Sequence, residues 1–148
     1  MLPDTEPMVV TEAAAAKVIL VVEDDGANAE LLMHVLLQET PYQVYVAPDA
    51  IAALQCISQI NPDLFILDYR LPGMSGIELY ECLHAHPRFN QTPALILSAC
   101  LEGYQEEIER HKLVALAKPF DVDELLALIA KMFDQSLASQ QSVLSALS

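Results

Sequence analysis

The chain has 148 residues, of which 53% are hydrophobic, and this is enough to bury one well-packed core, so the sequence predicts a single domain. Twenty-one acidic residues against seven Lys and Arg give a formal net charge of −14 without any basic run, which argues against direct DNA binding because phosphate contacts require clustered cations. No apolar run approaches the roughly 18 residues that a membrane span needs, and the acidic N-terminus is unlike a signal peptide, so a cytoplasmic location without membrane attachment is expected.

Short apolar runs alternate with longer amphipathic ones along the chain. The short runs predict five strands: Val18–Val22, Tyr42–Val46, Leu64–Leu67, Ala94–Leu97 and Leu113–Ala117. The longer runs predict five helices: Ala27–Gln38, Asp49–Gln59, Ser75–His84, Glu102–Arg110 and Val122–Phe133. Continuously apolar strands are typical of parallel sheets covered on both faces. The pattern therefore predicts an α/β fold, a doubly wound (βα)5 domain with an open five-stranded parallel sheet.

The two ends of the chain differ from this pattern. Residues 1–16 are acidic and Ala-rich and are predicted to form a mobile extension, and residues 17–133 form the domain. Residues 134–148 lose their charges and are rich in Ser, Gln and Ala. For this tail the sequence leaves open an extension of the last helix, a partner-binding segment or disorder.

Polar residues follow four of the five predicted strands at the point where each strand ends. They are, in chain order, Glu23 and Asp24, Asp68, Ser98, and Lys118. Each alone could cap a helix, start a turn or lie on the surface. Parallel strands, however, bring their carboxyl ends to one edge of the sheet, where ligands of such folds bind. The set is therefore predicted to form one site.

The chemistry of this set indicates phosphoryl transfer. Three carboxylates within reach of one another would form a hard oxygen site for Mg²⁺, with Mn²⁺ as the alternative, because Mg²⁺ binds through one or two carboxylates together with phosphate oxygens. A lysine and a hydroxyl group nearby would spread the charge of the transferred group. A central aspartate can act as the nucleophile and form an aspartyl phosphate.

Four motifs carry a resemblance to a known family: VVEDD, FILDYRLPGMSGIEL, PALILSA and AKPFDVDELL. The central motif contains the spacing DxxxPxxxG at Asp68, Pro72 and Gly76. In these motifs the chain resembles the receiver domain of two-component response regulators over about residues 17–133. The resemblance implies the flavodoxin-like order 2-1-3-4-5 for the five strands of the sheet.

The resemblance implies a role for each matching residue. Asp68 would be the phosphoacceptor, Ser98 would contact the incoming phosphoryl group, and Lys118 would be its charge partner. The bond between Lys118 and Pro119 would be cis.

The resemblance also implies the metal ligands. Asp24, Asp68 and the backbone carbonyl of Arg70 would bind Mg²⁺ directly, and Glu23 would act largely through water. Asp25 falls outside this set and is expected to cap the following helix.

Two departures from the family concern the end of the sheet. The family usually has Tyr or Phe three residues before the lysine, and here the residue is Ala115, so the usual aromatic switch is missing. The usual Ala-Gly-Ala turn is replaced by ERHKLV, so the segment Glu102–Val114 is expected to be arranged differently. Tyr104 could substitute as a nearby aromatic, or it could be an ordinary packed or exposed tyrosine.

Three further positions are expected to modulate the site. Arg70 and Cys100 lie two positions after the acceptor and the hydroxyl residue, where the family tunes the attack of water on the phosphoaspartate. Arg70 would either pair with the phosphoryl group or form a surface salt bridge. Ala99 is small, as access to Asp68 requires.

The function predicted from this resemblance is a stand-alone receiver that a histidine kinase or phosphotransfer protein phosphorylates on Asp68. It would signal to an unknown downstream protein through contacts, with a homodimer as one open possibility, and would not turn over an external substrate. The alternatives are a receiver-like adaptor that works without phosphorylation, and a receiver fragment of a hybrid kinase or larger regulator. A haloacid-dehalogenase-type phosphatase is disfavoured because Arg70 stands where that family needs a second acid.

Overall fold

The computed structural model describes residues 16–99 and 101–147. Its strands are β1 (Val18–Val22), β2 (Gln43–Ala47), β3 (Leu64–Asp68), β4 (Arg70–Leu71), β5 (Met74–Ser75), β6 (Ala94–Ser98) and β7 (Val114–Ala117). Its α-helices are α1 (Gly26–Glu39), α2 (Ala50–Cys56), α3 (Gly76–His84), α4 (Gln105–Arg110) and α5 (Val122–Leu147), with 3-10 helices at Pro87–Phe89 and Leu101–Tyr104. The extension predicted at 1–16 lies, apart from Ala16, outside the described residues.

Five of the strands form one parallel sheet in the order β2-β1-β3-β6-β7, which confirms the predicted doubly wound fold. Alternate residues of each strand face opposite sides of the sheet. In β1, Leu20 and Val22 pack with α2 and α3 on one face, while Ile19 and Val21 pack with α1 and α5 on the other. Because both faces are covered, the carboxyl ends of the strands are the part of the sheet where polar side chains can converge.

The predicted elements agree with the structure to within a few residues, with three differences. Helix α2 ends at Cys56, three residues before the predicted end, and Asp49 caps its start instead of belonging to it. The predicted helix at 102–110 begins as the 3-10 helix Leu101–Tyr104 and becomes α-helical only from Gln105. The backbone of α5 continues as a helix to Leu147, through most of the tail for which the sequence left three arrangements open.

A small hairpin of β4 and β5 was missed by the sequence reasoning. Each strand has two residues, too few to show a period, and they pair as Arg70 with Ser75 and Leu71 with Met74. Pro72 and Gly73 form the corner, where Gly73 has a φ of 85°, a left-handed conformation that glycine adopts without a steric penalty. The hairpin thus lies directly after Asp68.

No helix among residues 16–99 and 101–147 has both the length and the apolar content that crossing a membrane requires.

Gly76 fixes the start of α3 against the end of β3. Its N–H donates to the Tyr69 carbonyl at 2.7 Å, and the Ser75 and Glu78 side chains form a capping box around this turn. A Cβ at Gly76 would overlap the Asp68 carbonyl oxygen and would lie 3.1 Å from the Asp68 carbonyl carbon. The sequence therefore needs glycine here because the helix backbone touches the strand backbone.

Replacing Gly76 by alanine is expected to lower the free energy of unfolding by about 1–3 kcal/mol, the usual cost of overpacking. The matched control is Gly26→Ala at the start of α1, where a Cβ meets no atom within 4 Å, so stability should be unchanged or slightly raised. Urea denaturation of both variants measures the difference. Equal stabilities for the two variants would contradict the close approach.

Candidate functional site

Three acidic side chains meet at the carboxyl edge of the sheet. Glu23 follows β1 directly and Asp68 is the last residue of β3, and these strands are paired, with Val22 opposite Leu67. Glu23, Asp24 and Asp68 each offer a carboxylate oxygen, and these oxygens lie within 4.8 Å of one another. Glu23 and Asp68 are 2% and 7% exposed, whereas Asp24 is exposed to solvent. The predicted carboxylates therefore form a cluster that solvent reaches from the Asp24 side.

Lys118 contacts two of these carboxylates. Its Nζ donates to Glu23 Oε1 at 3.0 Å and lies 3.1 Å from Asp68 Oδ1. Its backbone N–H donates to the Ser98 carbonyl at 2.8 Å, and its bond to Pro119 is cis. Burial lowers the pKa of Lys118, but the two carboxylates raise it more, so the net shift is upward and the ammonium stays charged.

Glu23 differs from the other two acids because both of its oxygens already accept hydrogen bonds. Oε1 accepts from Lys118, and Oε2 accepts from the backbone N–H of Asp25 at 3.2 Å. Burial raises the pKa of Glu23 above its ordinary value and Asp68 adds to the rise, although the bond to Lys118 opposes it. Glu23 is therefore the acid with the least free capacity for a further ligand.

Asp25 caps the start of α1, which confirms the capping role predicted for this residue. Its side chain accepts from the N–H groups of Ala27 at 2.9 Å and Asn28 at 3.2 Å, which caps α1. Adjacent aspartates thus have different structural roles.

The remaining predicted positions surround the cluster. Ser98 ends β6 and is 4% exposed, and Ala99 after it is exposed. Arg70 is exposed at the start of β4, Ala115 is half-buried on β7 opposite Ile96, and Cys100 lies outside the described residues. Among the side chains that the structure describes, those of residues 16–99 and 103–134, Arg70 takes part in none of the recorded ion pairs.

Tyr69 is the site neighbour that the sequence reasoning did not single out. Its ring stacks on Tyr104 with centroids 3.7 Å apart and an angle of 25° between the planes. Its hydroxyl donates to Glu107 Oε1 at 3.1 Å. Burial, and next this hydrogen bond, raise the pKa of Tyr69 to about 12, so the hydroxyl keeps its proton at neutral pH. Tyr104 is therefore packed, and its ring partner directly follows Asp68.

The donor set fits a hard divalent cation. It offers carboxylate oxygens and no sulfur or imidazole, and oxygen ligands are what Mg²⁺ and Mn²⁺ prefer. Three adjacent carboxylates with one lysine leave a net negative site, which a divalent ion would neutralise.

Comparison with known proteins gives a consistent result. The family model described as response regulator receiver domain matches residues 19–130. Sporulation initiation phosphotransferase F of Bacillus subtilis is 29% identical over 112 residues, which cover 76% of this chain and 90% of that protein. The CheY-like receiver domain protein of Methanospirillum hungatei has a TM-score of 0.76 at 25% identity, covering 84% of this chain and 99% of that one.

A third similar structure contains a metal. It is the receiver domain of the sensor histidine kinase PA1611 from Pseudomonas aeruginosa, with a magnesium ion coordinated in its active site cleft. Its TM-score is 0.71 at 28% identity, and the match covers 80% of this chain and 98% of that one.

Other relatives are much longer than the matched region. The chain spans 12% of a sensor histidine kinase from Ectopseudomonas mendocina and 46% of a DNA-binding transcriptional regulator from Synechocystis. The same kind of domain therefore occurs within larger proteins as well as nearly alone.

Proposed function

Because the chain belongs to the response regulator receiver family, a family of signalling modules in two-component systems, we propose that Asp68 accepts a phosphoryl group from a phosphohistidine donor in a Mg²⁺-dependent reaction. The donor would be a histidine kinase or a phosphotransfer protein, and the phosphorylated chain would signal through protein contacts. We also propose that the only residue the chain modifies is its own Asp68, and that it turns over no external substrate. The cytoplasmic location remains a prediction from the sequence.

The observation that carries this proposal is the position of Asp68. Asp68 is the last residue of the buried strand β3, and its Oδ1 lies 3.1 Å from Lys118 Nζ. Its carboxylate forms one cluster with those of Glu23 and Asp24. A lone carboxylate would repel an incoming phosphoryl group. Here the lysine offsets that repulsion and would stay close to the charge that develops on the transferred oxygens.

The transfer itself balances without another reactant. A carboxylate oxygen of Asp68 forms a bond to phosphorus while the phosphorus–nitrogen bond to the donor imidazole breaks, and the imidazole keeps the electron pair. A bound Mg²⁺ would neutralise the charge shared by the aspartate and the phosphoryl oxygens. Lys118, whose Nζ lies 3.1 Å from Asp68 Oδ1, would supply a further positive charge there. Ser98, at the end of the adjacent strand β6, would contact the transferred group.

The geometry supports unequal roles for the acids. As the resemblance implies, Asp24 and Asp68 would bind the metal directly together with the Arg70 carbonyl. Glu23 would be the weaker ligand, because each of its oxygens already accepts one hydrogen bond, from Lys118 and from Asp25. Glu23 would act through water and by holding Lys118 in place. Ala99 is exposed beside Ser98 and would leave a path for the donor. Arg70, which is exposed, and Cys100, by its place two residues after Ser98 in the sequence, would influence hydrolysis.

The direct test is incubation with Mg²⁺ and acetyl phosphate, followed by intact-mass measurement. We expect the wild type to gain one phosphoryl group, EDTA to prevent the gain, and Asp68→Asn to abolish it. The matched control is Asp63→Asn, because Asp63 precedes the same strand and accepts the Val18 N–H at 2.9 Å, a role that an amide oxygen can keep. This variant should be phosphorylated like the wild type.

Two results would overturn the proposal. One is an unmodified wild type under conditions that phosphorylate a known receiver, which would favour an adaptor that works without phosphorylation. The other is an undiminished adduct on Asp68→Asn.

A further inference from the structure

A pocket opens at the amino edge of the sheet, the edge opposite to the one that holds Asp68. It lies where the loops before β1, β3 and β6 meet, and these three strands are neighbours in the sheet. Its volume is about 270 Å³. The lining comes from these three loops, from the 3-10 helix Pro87–Phe89 and from Phe133 of α5. The pocket is therefore separate from the acidic cluster.

The walls of the pocket are fixed by hydrogen bonds between the starts of neighbouring strands. The Asp63 N–H donates to the Val18 carbonyl at 2.7 Å, and Asp63 Oδ2 accepts the Val18 N–H at 2.9 Å. The Phe65 N–H donates to the Pro93 carbonyl at 3.0 Å. Because these bonds belong to the folded sheet, a ligand would enter a site that is already formed, which keeps the cost of ordering it low.

Two cations line the pocket without a carboxylate partner. Lys17 and Arg88 are two of only seven Lys and Arg residues in a chain with 21 acids. Neither takes part in an ion pair recorded among the side chains that the structure describes. Asp63, the acid in the lining, directs one oxygen to the Val18 backbone. The positive charge at this pocket is therefore available to an anion.

The lining also has hydrogen-bond donors with free capacity. Arg88 Nη2 donates to two backbone carbonyls and to Asn61 Oδ1. The guanidinium has three further N–H groups, on Nε and Nη1, and no acceptor for them is recorded in the described part of the chain. The Thr92 hydroxyl and the Gln91 amide, which line the same pocket, also take part in no hydrogen bond recorded there. Such a donor set suits a carboxylate or a phosphate.

The apolar part of the lining favours an organic anion over an inorganic one. Lys17 Nζ lies 5.8 Å from the centre of the Phe133 ring, and Arg88 Cζ lies 4.8 Å from the centre of the Phe89 ring. Two prolines, Pro62 and Pro93, complete the apolar surface. The volume equals that of about nine water molecules at ~30 Å³ each, which leaves room for a ring beside the charged group.

We propose that this pocket binds a small organic acid, in which a carboxylate is joined to an apolar body about the size of one aromatic ring. The carboxylate accepts from the Lys17 ammonium and from the free N–H groups of Arg88, and the apolar body contacts the prolines and phenylalanines. Binding requires neither Mg²⁺ nor Asp68, because the pocket and the acidic cluster lie at opposite edges of the sheet.

Benzoate is the probe for this class of ligand, and two-dimensional amide NMR of the full chain shows where it binds. We expect saturable shifts with a Kd of about 1–10 mM, confined to amides around the pocket and absent around Asp68. Benzyl alcohol keeps the ring but has no charge, so it should bind about 10-fold more weakly or less tightly still, since hydrogen bonds to charged groups are the stronger ones. Inorganic phosphate, which lacks an apolar body, should also bind more weakly than benzoate.

Variants of Lys17 test the role of the cation. Lys17→Met should weaken benzoate binding by about 10-fold, whereas Lys17→Arg keeps the charge and should retain the affinity. The matched control is Lys112→Met, which removes an exposed lysine that precedes β7 and lies outside the pocket lining. It changes the net charge equally, but screening by salt should limit its effect to within about 2-fold.

Three results would overturn the proposal. They are an absence of saturable shifts around the pocket, equal affinity for benzyl alcohol or phosphate and for benzoate, and a loss of affinity in Lys17→Met no larger than in Lys112→Met. Asp68→Asn should bind benzoate like the wild type. Failure of the phosphoacceptor proposal would therefore leave this one standing, and the reverse also holds.

Discussion

Replacing Lys118 by methionine is expected to lower the free energy of unfolding by about 3 kcal/mol, the lower end of the range for breaking a buried ion pair. Methionine keeps most of the length and volume of lysine but removes its charge. The side chains of Glu23 and Asp68 are 1% and 10% exposed, and both lose the cation that contacts them. The lower end applies because the lysine side chain is itself 19% exposed, so water can partly replace it.

Mg²⁺ should reverse part of this loss. Without Lys118 the three carboxylates form a more negative site, so the variant should bind Mg²⁺ more tightly than the wild type does. A ligand that binds only the folded state stabilises it by an amount that grows with the logarithm of the ligand concentration relative to Kd. The difference in unfolding free energy between variant and wild type should therefore narrow as Mg²⁺ is added. Urea denaturation with Mg²⁺ and with EDTA measures the gap.

Lys131→Met is the matched control, because Lys131 is an exposed lysine of α5 away from the acidic cluster. It should change stability by less than about 0.5 kcal/mol and should not alter the response to Mg²⁺. Two results would contradict the stabilising role of Lys118. One is a loss of stability in Lys118→Met no larger than in Lys131→Met, and the other is a difference in unfolding free energy from the wild type that grows when Mg²⁺ is added.

Hydrophobic patterning was sufficient to predict the sheet and the edge where the site forms. The five continuously apolar runs indicate strands of a parallel sheet that is covered on both faces. Parallel pairing places the carboxyl ends of these strands at one edge of the sheet. This is why Glu23, Asp68 and Lys118 could be expected to meet although they lie far apart in the sequence. The cap formed by Asp25 was also predictable, because it depends on neighbouring residues alone.

Other features depend on contacts that no local pattern encodes. The β4–β5 hairpin has strands of two residues. After the end of α2, the Ile57 carbonyl accepts at 2.9 Å from Arg88, which is 31 positions away in the sequence. The stack of Tyr69 on Tyr104 joins two loops through side chains. Ala115 signalled that an aromatic contact was missing from its usual place, but the sequence did not show where another would form.

The adjacent acids Asp24 and Asp25 should separate metal binding from helix capping. Asp24→Ala is expected to weaken Mg²⁺ binding by well over about 10-fold, the loss that even outer-shell substitutions cause at metal sites. In the absence of metal it should leave stability unchanged or raise it, because it removes one of three like charges whose oxygens lie within 4.8 Å.

Asp25→Ala should show the opposite pattern. It removes the side chain that accepts from the N–H groups of Ala27 and Asn28, which should cost about 0.5–2 kcal/mol of stability. The backbone N–H that Asp25 donates to Glu23 is retained, so Mg²⁺ affinity should fall only slightly, through the loss of one exposed charge. Calorimetric titration with Mg²⁺ and urea denaturation in EDTA measure the two quantities. Equal losses of affinity in both variants would mean that net charge alone, and not the placement of Asp24, holds the metal.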